Sequence, residues 1–161
     1  MPKFRLAKVR APQEIDAVAH LFREYVDWLG IDLSFQGFQA ELANLPGKYA
    51  PPGGELMLAS SADGAALGCV ALQRLDGTVC EMKRLYVRPS ARGFGLGASL
   101  VAAIIKVAEE LGYNEMKLDT LPWLKDAFAL YRRFGFVEIA PYYHNPVPGT
   151  RYLGKRLEPS V

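Results

Sequence analysis

The feature that most constrains the fold is residues 82–100, which read M-K-R-L-Y-V-R-P-S-A-R-G-F-G-L-G-A-S-L. An extended apolar segment is stopped by Pro89, and a helical pattern begins near Leu96. Between them lies a loop with glycine at every second position, at Gly93, Gly95 and Gly97. Glycine lets the backbone approach a ligand closely, and the free N–H groups of a first helical turn favour anions. The sequence therefore predicts a phosphate-binding turn between a strand and a helix.

The length and charge of the chain limit its organisation and its partners. With 161 residues and 50% hydrophobic composition, the chain is long enough for one sizeable core and too short for two ordinary domains. We therefore expect a single domain over residues 1–161. The 19 basic and 17 acidic residues are scattered, so no basic arm or acidic tail indicates nucleic acid or a charged membrane surface.

The sequence also shows no pattern typical of a targeting signal. No apolar run approaches the roughly 20 residues of a membrane span, and residues 1–10 alternate charged and apolar side chains instead of forming a signal-peptide core. We expect a cytoplasmic protein without membrane contact. The two histidines and two cysteines show no metal-ligand spacing, so no metal site is predicted.

The two cysteines lie in predicted strands on either side of a turn at residues 76–77. A two-residue hairpin turn there sets the strand register. In that register Cys69 faces Arg84 and Cys80 faces Gln73, so the cysteines are not partners. We expect two buried, reduced thiols.

Hydrophobic periodicity predicts a strand, two helices, three strands in an antiparallel meander, a helix, a strand, a helix and two last strands. The predicted ranges are 3–10, 11–29, 34–45, 55–60, 65–75, 78–88, 96–112, 116–120, 123–134, 136–139 and 150–157. The strand at 116–120 is reached through a helix, so it should run parallel to the strand before the glycine loop. The expected fold class is α/β with a mixed sheet of α+β character.

Two other phosphate-binding loops were compared with this pattern. A Walker loop needs a lysine directly after its glycines, and none is present. The dinucleotide pattern G-x-G-x-x-A is satisfied by Gly93, Gly95 and Ala98, and Asp119 ends the next strand where a ribose-binding acid is expected. However, five residues separate the strand from Gly93, and the roughly forty residues after Asp119 leave little room for a doubly wound sheet.

Three segments carry a family resemblance. Residues 92–97, R-G-F-G-L-G, resemble the acyl-CoA pyrophosphate loop of the GNAT N-acetyltransferase superfamily. Residues 84–89, R-L-Y-V-R-P, and residues 127–136, A-F-A-L-Y-R-R-F-G-F, are similar to two further segments of that family in the same order. The resemblance implies a GNAT-like acyl-CoA N-acyltransferase fold: a central, mostly antiparallel sheet with flanking helices and one parallel strand pair splayed around the cofactor.

The resemblance also implies an activity. The implied activity is acetyl-CoA-dependent N-acetyl transfer. In a ternary complex, a primary amine would attack the acetyl group of the donor directly. Acetyl-CoA would be the donor co-substrate, a small-molecule or peptide amine the acceptor, and a homodimer is plausible by analogy. The alternatives are a non-catalytic acyl-CoA-binding module of the same fold and a dinucleotide-binding oxidoreductase.

The residues that the resemblance assigns to the donor lie at the end of one strand and in the glycine loop. Backbone groups of the strand would bind the pantetheine arm, and N–H groups of the loop would bind the pyrophosphate. The assigned residues are Leu85, Tyr86, Val87, Arg92, Gly93, Phe94, Gly95, Leu96, Gly97 and Ala98.

Two residues are assigned to catalysis by the same resemblance. Tyr131 matches the family's general acid toward the CoA sulfur, and a phenol with a pKa near 10 can supply that proton. Glu81 matches the usual position of a general base, acting directly or through water. On its strand Glu81 is expected to share a face with Lys83, Leu85 and Val87. The alternative for Glu81 is an exposed strand carboxylate paired with Lys83 or Arg84, and the alternative for Tyr131 is a core aromatic ring on an amphipathic helix.

Two further features concern cofactor and acceptor contacts. The family often has Asn seven residues before the tyrosine, where this chain has Leu124, so that cofactor contact is in doubt. Tyr142, Tyr143 and Asn145 lie in a Pro- and Tyr-rich loop and are predicted to bind the acceptor, although a rigid, packed turn would have the same composition.

Overall fold

The computed structural model describes residues 3–160, so residues 1, 2 and 161 of the predicted domain lie outside the described part. The strands are β1 (Phe4–Lys8), β2 (Glu55–Ser61), β3 (Ala66–Asp76), β4 (Val79–Val87), β5 (Glu115–Thr120), β6 (Val137–Glu138) and β7 (Arg151–Arg156). The helices are α1 (Pro12–Leu29), α2 (Phe38–Ala43), α3 (Leu96–Glu110) and α4 (Lys125–Arg133). The strands form one seven-stranded sheet in the order β1-β2-β3-β4-β5-β7-β6.

The predicted fold class is confirmed. Neighbouring strands are antiparallel except β4 and β5, which are parallel. Helix α3 buries its apolar stripe on one face of the sheet, called the α3 face, in a cluster that includes Met82, Leu100, Met116 and Tyr131. Helices α1 and α2 cover the opposite α1 face. No helix within residues 3–160 is long and apolar enough to cross a membrane.

All four predicted helices are shorter in the structure, and the two later starts, of α2 and α4, have a local cause. The stretch predicted as one helix at 34–45 is a 3₁₀ turn (Ser34–Gln36) followed by α2, because Gly37 has a left-handed φ of 72° that ends the first turn. Helix α4 begins at Lys125 rather than at residue 123, since Leu124 has a non-helical ψ of 64°.

The β3–β4 hairpin register differs from the prediction. Asp76 pairs with Val79, so the turn occupies residues 77–78 and not 76–77, with Gly77 at a φ of 51°. A register shift between Arg74 and Asp76 then places Cys80 opposite Arg74, and Cys69 faces Tyr86. The predicted register is wrong, but both cysteines are buried and free, as expected.

A β-bulge in β4 reverses the face on which its side chains lie. Between the pairs Cys69–Tyr86 and Ala71–Lys83, two steps along β3 correspond to three along β4. Arg84 lies in this interval with a φ of 62°. An extra residue shifts the two-residue alternation of a strand by one. Glu81 and Lys83 therefore lie on the α1 face, whereas Leu85 and Val87 pack on the α3 face, and the prediction that all four share one face is wrong.

The parallel strands separate after three residue pairs. Strand β4 pairs with β5 from Val79–Glu115 to Glu81–Lys117. Beyond Lys117, β5 continues to pair with β7 as far as Thr120. The sheet therefore has a gap between the C-terminal ends of β4 and β5, next to the start of α3.

Candidate active site

The glycine loop forms an open N-terminus for α3. Gly93 and Gly95 have φ values of 87° and 81°, a region that L-residues rarely adopt, and a Cβ at either position would meet no atom within 4 Å. Gly95 is the N-cap residue of α3. The first-turn N–H groups have no partner within a helix and favour an anion. The loop therefore fits a phosphate group that approaches its backbone.

A groove of about 280 Å³ runs from this loop along β4 toward α4. Eight of the ten residues predicted for donor binding line it: Leu85, Tyr86, Val87, Arg92, Gly93, Gly95, Leu96 and Gly97. Phe94 and Ala98 do not border the groove. Because β4 has no partner on the β5 side here, backbone groups along this edge are available to a ligand.

Aromatic and charged side chains hold the outer wall of the groove. The Arg92 guanidinium lies 4.6 Å from the centroid of the Trp28 ring, and its Nε donates to the Val87 carbonyl at 2.9 Å. Arg88, in contrast, pairs with Glu24 at 2.5 Å. Of the two arginines near the loop, Arg92 borders the groove.

A second, small cavity of about 80 Å³ lies at the gap in the sheet. On the α3 face it is bordered by Met82 and Tyr131, and on the α1 face by Lys83 and Asp119. It shares Trp28, Leu85 and Ala127 with the groove. The cavity therefore connects the two faces of the sheet through the space between β4 and β5.

Tyr131 is positioned in this cavity by α4. Its ring packs edge-on against Phe136 at 5.9 Å between centroids, and the residue is 8% exposed. Burial raises the pKa of the Tyr131 phenol above its usual value, and Tyr25 and Asp119 raise it further. The phenol is therefore protonated at neutral pH and can act as a proton donor.

Glu81 is buried behind the cavity. It is 3% exposed, so the interpretation as an exposed strand carboxylate is wrong. Its Oε1 accepts a hydrogen bond from Gln73 Nε2 at 2.7 Å, and its Oε2 accepts one from the Tyr142 hydroxyl at 2.6 Å. Both carboxylate oxygens are thus already hydrogen-bonded, and Glu81 is absent from the residues that border the cavity.

Asp119 is the carboxylate that borders the cavity. It lies near the end of β5, where the strand has left β4. Its Oδ2 accepts hydrogen bonds from the Tyr143 hydroxyl and from Asn145 Nδ2, the latter at 2.9 Å. Both donors are neutral, so the negative charge of Asp119 is available to a cation in the cavity.

The three residues predicted for acceptor binding have different positions. Asn145 borders the cavity, whereas Tyr142 and Tyr143 lie one layer behind it, hydrogen-bonded to Glu81 and Asp119. Tyr142 and Tyr143 also pack edge-on against Tyr152. Burial raises the pKa of both phenols, and the neighbouring carboxylates raise it further. The loop is thus packed, as in the alternative interpretation, and one of its residues borders the cavity.

Several residues that border the cavity were not predicted from the sequence, among them Trp28, Gln36, Arg84 and Thr120. Trp28 and Gln36 come from the α1 side, where periodicity indicated core or surface positions. Arg84 donates two hydrogen bonds to Glu41 at 2.9 and 3.0 Å. Thr120 is buried, and its Oγ1 has no hydrogen-bond partner among the described residues. No group of His, Cys, Asp or Glu within residues 3–160 is arranged to hold a metal ion.

Leu124, which replaces an asparagine common in the resembled family, caps the start of α4. It borders the cavity with an apolar side chain. Asp126, in the first turn of α4, borders the donor groove.

A parallel strand pair that opens beside a glycine-capped helix, with a groove and a cavity meeting at the opening, is typical of the acyl-CoA N-acyltransferase fold. Comparisons with known proteins lead to the same class. Residues 18–136 match the Acetyltransferase (GNAT) family, so the chain belongs to this family and is an N-acetyltransferase.

The relatives extend over nearly the whole chain. A Schizosaccharomyces pombe protein named as an uncharacterized N-acetyltransferase is 49% identical over 96% of this chain and 94% of its own length. An Azospirillum brasilense protein named IAA acetyltransferase is 31% identical over 98% and 100%.

Solved structures share the fold. A GNAT-family acetyltransferase from Staphylococcus aureus superimposes with a TM-score of 0.81 at 20% identity, covering 96% of this chain and 99% of that one. The PaiA N-acetyltransferase of Thermoplasma acidophilum, solved in complex with coenzyme A, gives a TM-score of 0.70 at 17% identity, with coverage of 96% and 99%.

Proposed function

We propose that this chain transfers the acetyl group of acetyl-CoA to a primary amine by direct attack within a ternary complex, and that residues 1–161 form one catalytic domain. The observation that carries the proposal is the meeting of the groove and the cavity at the gap between β4 and β5. A donor in the groove and an acceptor in the cavity can be bound at the same time, with their reacting ends at the gap. Such positioning is itself a large part of catalysis.

Donor binding uses backbone groups. The loop at residues 92–98 and the start of α3 offer N–H groups to the pyrophosphate, and Arg92 adds a positive charge. The free edge of β4 at residues 85–87 offers hydrogen bonds to the pantetheine arm. Acetyl-CoA would supply the reactive thioester.

The acceptor must lose a proton before its nitrogen attacks. The amine nitrogen forms a bond to the acetyl carbon while the carbon–sulfur bond breaks. In this proposal Asp119 binds the acceptor ammonium and takes its proton, because Asp119 borders the cavity. Tyr131 gives its hydroxyl proton to the leaving sulfur, so that thiol is released.

Glu81 has an indirect role in this arrangement. Its carboxylate is separated from the cavity by Tyr142 and Lys83. We propose that Glu81 acts through water and through Tyr142, to which it is hydrogen-bonded, and that it helps to keep a negative potential near the acceptor ammonium.

The two alternatives differ from this proposal in measurable ways. A dinucleotide-binding oxidoreductase would need a doubly wound parallel sheet, whereas this sheet is mostly antiparallel. A non-catalytic module would bind acetyl-CoA without turnover. The cytoplasmic location stays a prediction from the sequence, and the homodimer stays an expectation from the family resemblance.

The experiment follows thiol release from acetyl-CoA in the presence of a panel of primary amines, with product identification by mass spectrometry. Thermal unfolding with acetyl-CoA and with NADPH provides a second measurement. We expect amine-dependent thiol release and stabilisation by acetyl-CoA, about 2.7 kcal/mol at a hundredfold excess over its Kd. Stabilisation by NADPH but not acetyl-CoA would refute the proposal, and binding without turnover would favour the non-catalytic module.

A further inference from the structure

Lys83 contributes a buried ammonium group to the cavity. It lies on β4 one residue before Arg84, and its side chain is only 7% exposed. Its Nζ is 4.0 Å from Glu81 Oε1 and 6.0 Å from the centroid of the Tyr143 ring. No acceptor within residues 3–160 is at hydrogen-bonding distance from Nζ. A buried ammonium without hydrogen-bond acceptors is unfavourable, so this group is suited to a ligand.

The other groups near Lys83 are already paired. The two carboxylate oxygens of Glu81 accept hydrogen bonds from Gln73 and Tyr142. At 4.0 Å, Glu81 is therefore only a distant partner for the Lys83 ammonium. Arg84, the second cation that borders the cavity, directs its guanidinium to Glu41 and to Gln36 Oε1. Of the two cationic side chains that border the cavity, Lys83 is therefore the one whose N–H donors have no hydrogen-bond partner among the described residues.

The remaining polar groups of the cavity show what a complete ligand would need. Asp119 has neutral partners and can accept a cation. Thr120 Oγ1 is buried and unpartnered among the described residues. The cavity thus has a site for a positive group and a site for a negative group within a small volume of about 80 Å³.

We propose that Lys83 determines acceptor specificity by binding a carboxylate of the acceptor, and that the acceptor is a small amine that also carries a carboxylate, such as an amino acid. The inference rests on the proposed acetyl transfer to an amine. The acceptor ammonium would lie at Asp119 and its carboxylate at Lys83, with Thr120 able to donate a further hydrogen bond. Burial lowers the pKa of Lys83 and Glu81 opposes this, so a bound carboxylate would stabilise the charged ammonium.

The test uses matched acceptors. Each standard amino acid is compared with its primary amide, which keeps the side chain and the amine but lacks the carboxylate. We expect wild-type kcat/KM to favour at least one amino acid over its amide. In Lys83→Met this carboxylate-to-amide ratio should fall by about tenfold or more, as expected for a lost charge-assisted hydrogen bond. Because the amines differ in basicity, the ratio is compared between variants, where that difference cancels.

Two further variants separate specificity from general effects. Lys48→Met is the control, because it also removes a lysine charge. Lys48 pairs with Glu41 at 3.1 Å and does not border the cavity. This control should leave the ratio unchanged. Lys83→Arg keeps the charge and should retain more of the ratio than Lys83→Met. The acetyl-CoA Kd should be similar in all variants, since Lys83 does not border the donor groove.

The outcomes distinguish this inference from the proposed function. Turnover of amines without any preference for a carboxylate, or a ratio unchanged in Lys83→Met, would overturn the inference and leave acetyl transfer intact. Absence of turnover with any amine would refute the proposed function instead. A second measurement needs no variant: propionate, which has a carboxylate and no amine, should inhibit wild-type enzyme competitively with the acceptor and not with acetyl-CoA. Lack of such inhibition would contradict the inference.

Discussion

Tyr131 borders the cavity, and the raised pKa of its phenol keeps it protonated. Changing Tyr131 to Phe removes the proton donor and leaves the ring packing on Phe136. We expect kcat to fall about a hundredfold or more, as is typical for loss of a general acid. The Kd of acetyl-CoA, measured by calorimetry, should change little.

Tyr113→Phe is the matched control, because the Tyr113 hydroxyl hydrogen-bonds to the Gly53 carbonyl outside the groove and cavity. It should keep wild-type kcat. An unchanged turnover number in Tyr131→Phe would remove this residue from the mechanism.

Substitutions of the two carboxylates, Asp119 and Glu81, are expected to have different effects. Asp119→Asn should lower kcat/KM at neutral pH by about a hundredfold or more, and the rate should recover as pH rises because more amine is then deprotonated in solution. Glu81→Gln should lower the rate less and flatten or shift its pH profile. Rates from pH 6 to 10 with one acceptor measure both effects. A larger loss in Glu81→Gln than in Asp119→Asn would make Glu81 the direct base.

Some single residues of the candidate site could be predicted from the sequence, and others could not. Tyr131 and eight of the ten predicted donor residues do border the cavity or the groove, because they belong to local segments that keep their spacing, while their roles stay predictions. Asp119 was considered only as a ribose ligand, since its contacts with Tyr143 and Asn145 join segments 24 and 26 residues apart. The burial of Lys83 was not predicted, because a lysine in a strand is ordinarily exposed.

The bulge in β4 is stabilised by contacts with α2. Arg84 has a left-handed φ of 62°, a conformation that costs about 1–2 kcal/mol for a residue with a Cβ. Its guanidinium is held by Glu41 in α2. Burial by itself raises the pKa of Glu41, but the hydrogen bonds and charge of Arg84, together with Lys48, outweigh it, so the pKa is lowered. The ion pair therefore favours the folded state at neutral pH.

Glu41→Gln tests this contact, because it leaves the buried Arg84 without its charged partner. We expect the free energy of unfolding to fall by about 3 kcal/mol, the usual loss when one member of a buried pair is removed. Urea unfolding at pH 7 measures it. The control Glu24→Gln breaks the pair with Arg88, whose side chains are 31% and 29% exposed, and should cost about 1 kcal/mol or less. Equal losses in the two variants would show that the Arg84 pair has no special role.

Helices and strands were mostly predicted because their apolar periodicity reflects which face is buried. The bulge was not, because K-R-L-Y-V contains no glycine or proline to mark an irregular strand. Contacts with α2, far away in sequence, fix it. The hairpin turn lies one residue later than predicted because Gly77 can serve either of two adjacent turn positions.

The whole chain should lose stability in acid. The pKa values of Glu14, Glu24 and Glu41 are lowered below 4.5 by hydrogen bonds and by nearby arginines. Groups with a lowered folded pKa contribute stability above their unfolded pKa, and this contribution is lost as pH falls through the folded value. We expect the free energy of unfolding to be nearly constant from pH 7 to about pH 5 and to fall below that.

Urea unfolding between pH 7 and pH 3 checks this expectation. Glu41→Gln should show a shallower decline than wild type, because one of the three linked carboxylates is absent. A stability that rises toward pH 3, or a decline just as steep in the variant, would contradict the assignment.

The cavity between β4 and β5 also separates the residues proposed to bind the donor from those proposed to bind the acceptor. In the proposed arrangement, groups for the donor come from the end of β4, the glycine loop and α4, whereas groups for the acceptor come from β4 before the bulge, the end of β5 and the loop at 141–147. The acceptor side can therefore accumulate substitutions while the donor side stays unchanged. Acceptor preference should be the property that diverges fastest among descendants of this chain, and the one most easily redirected by engineering.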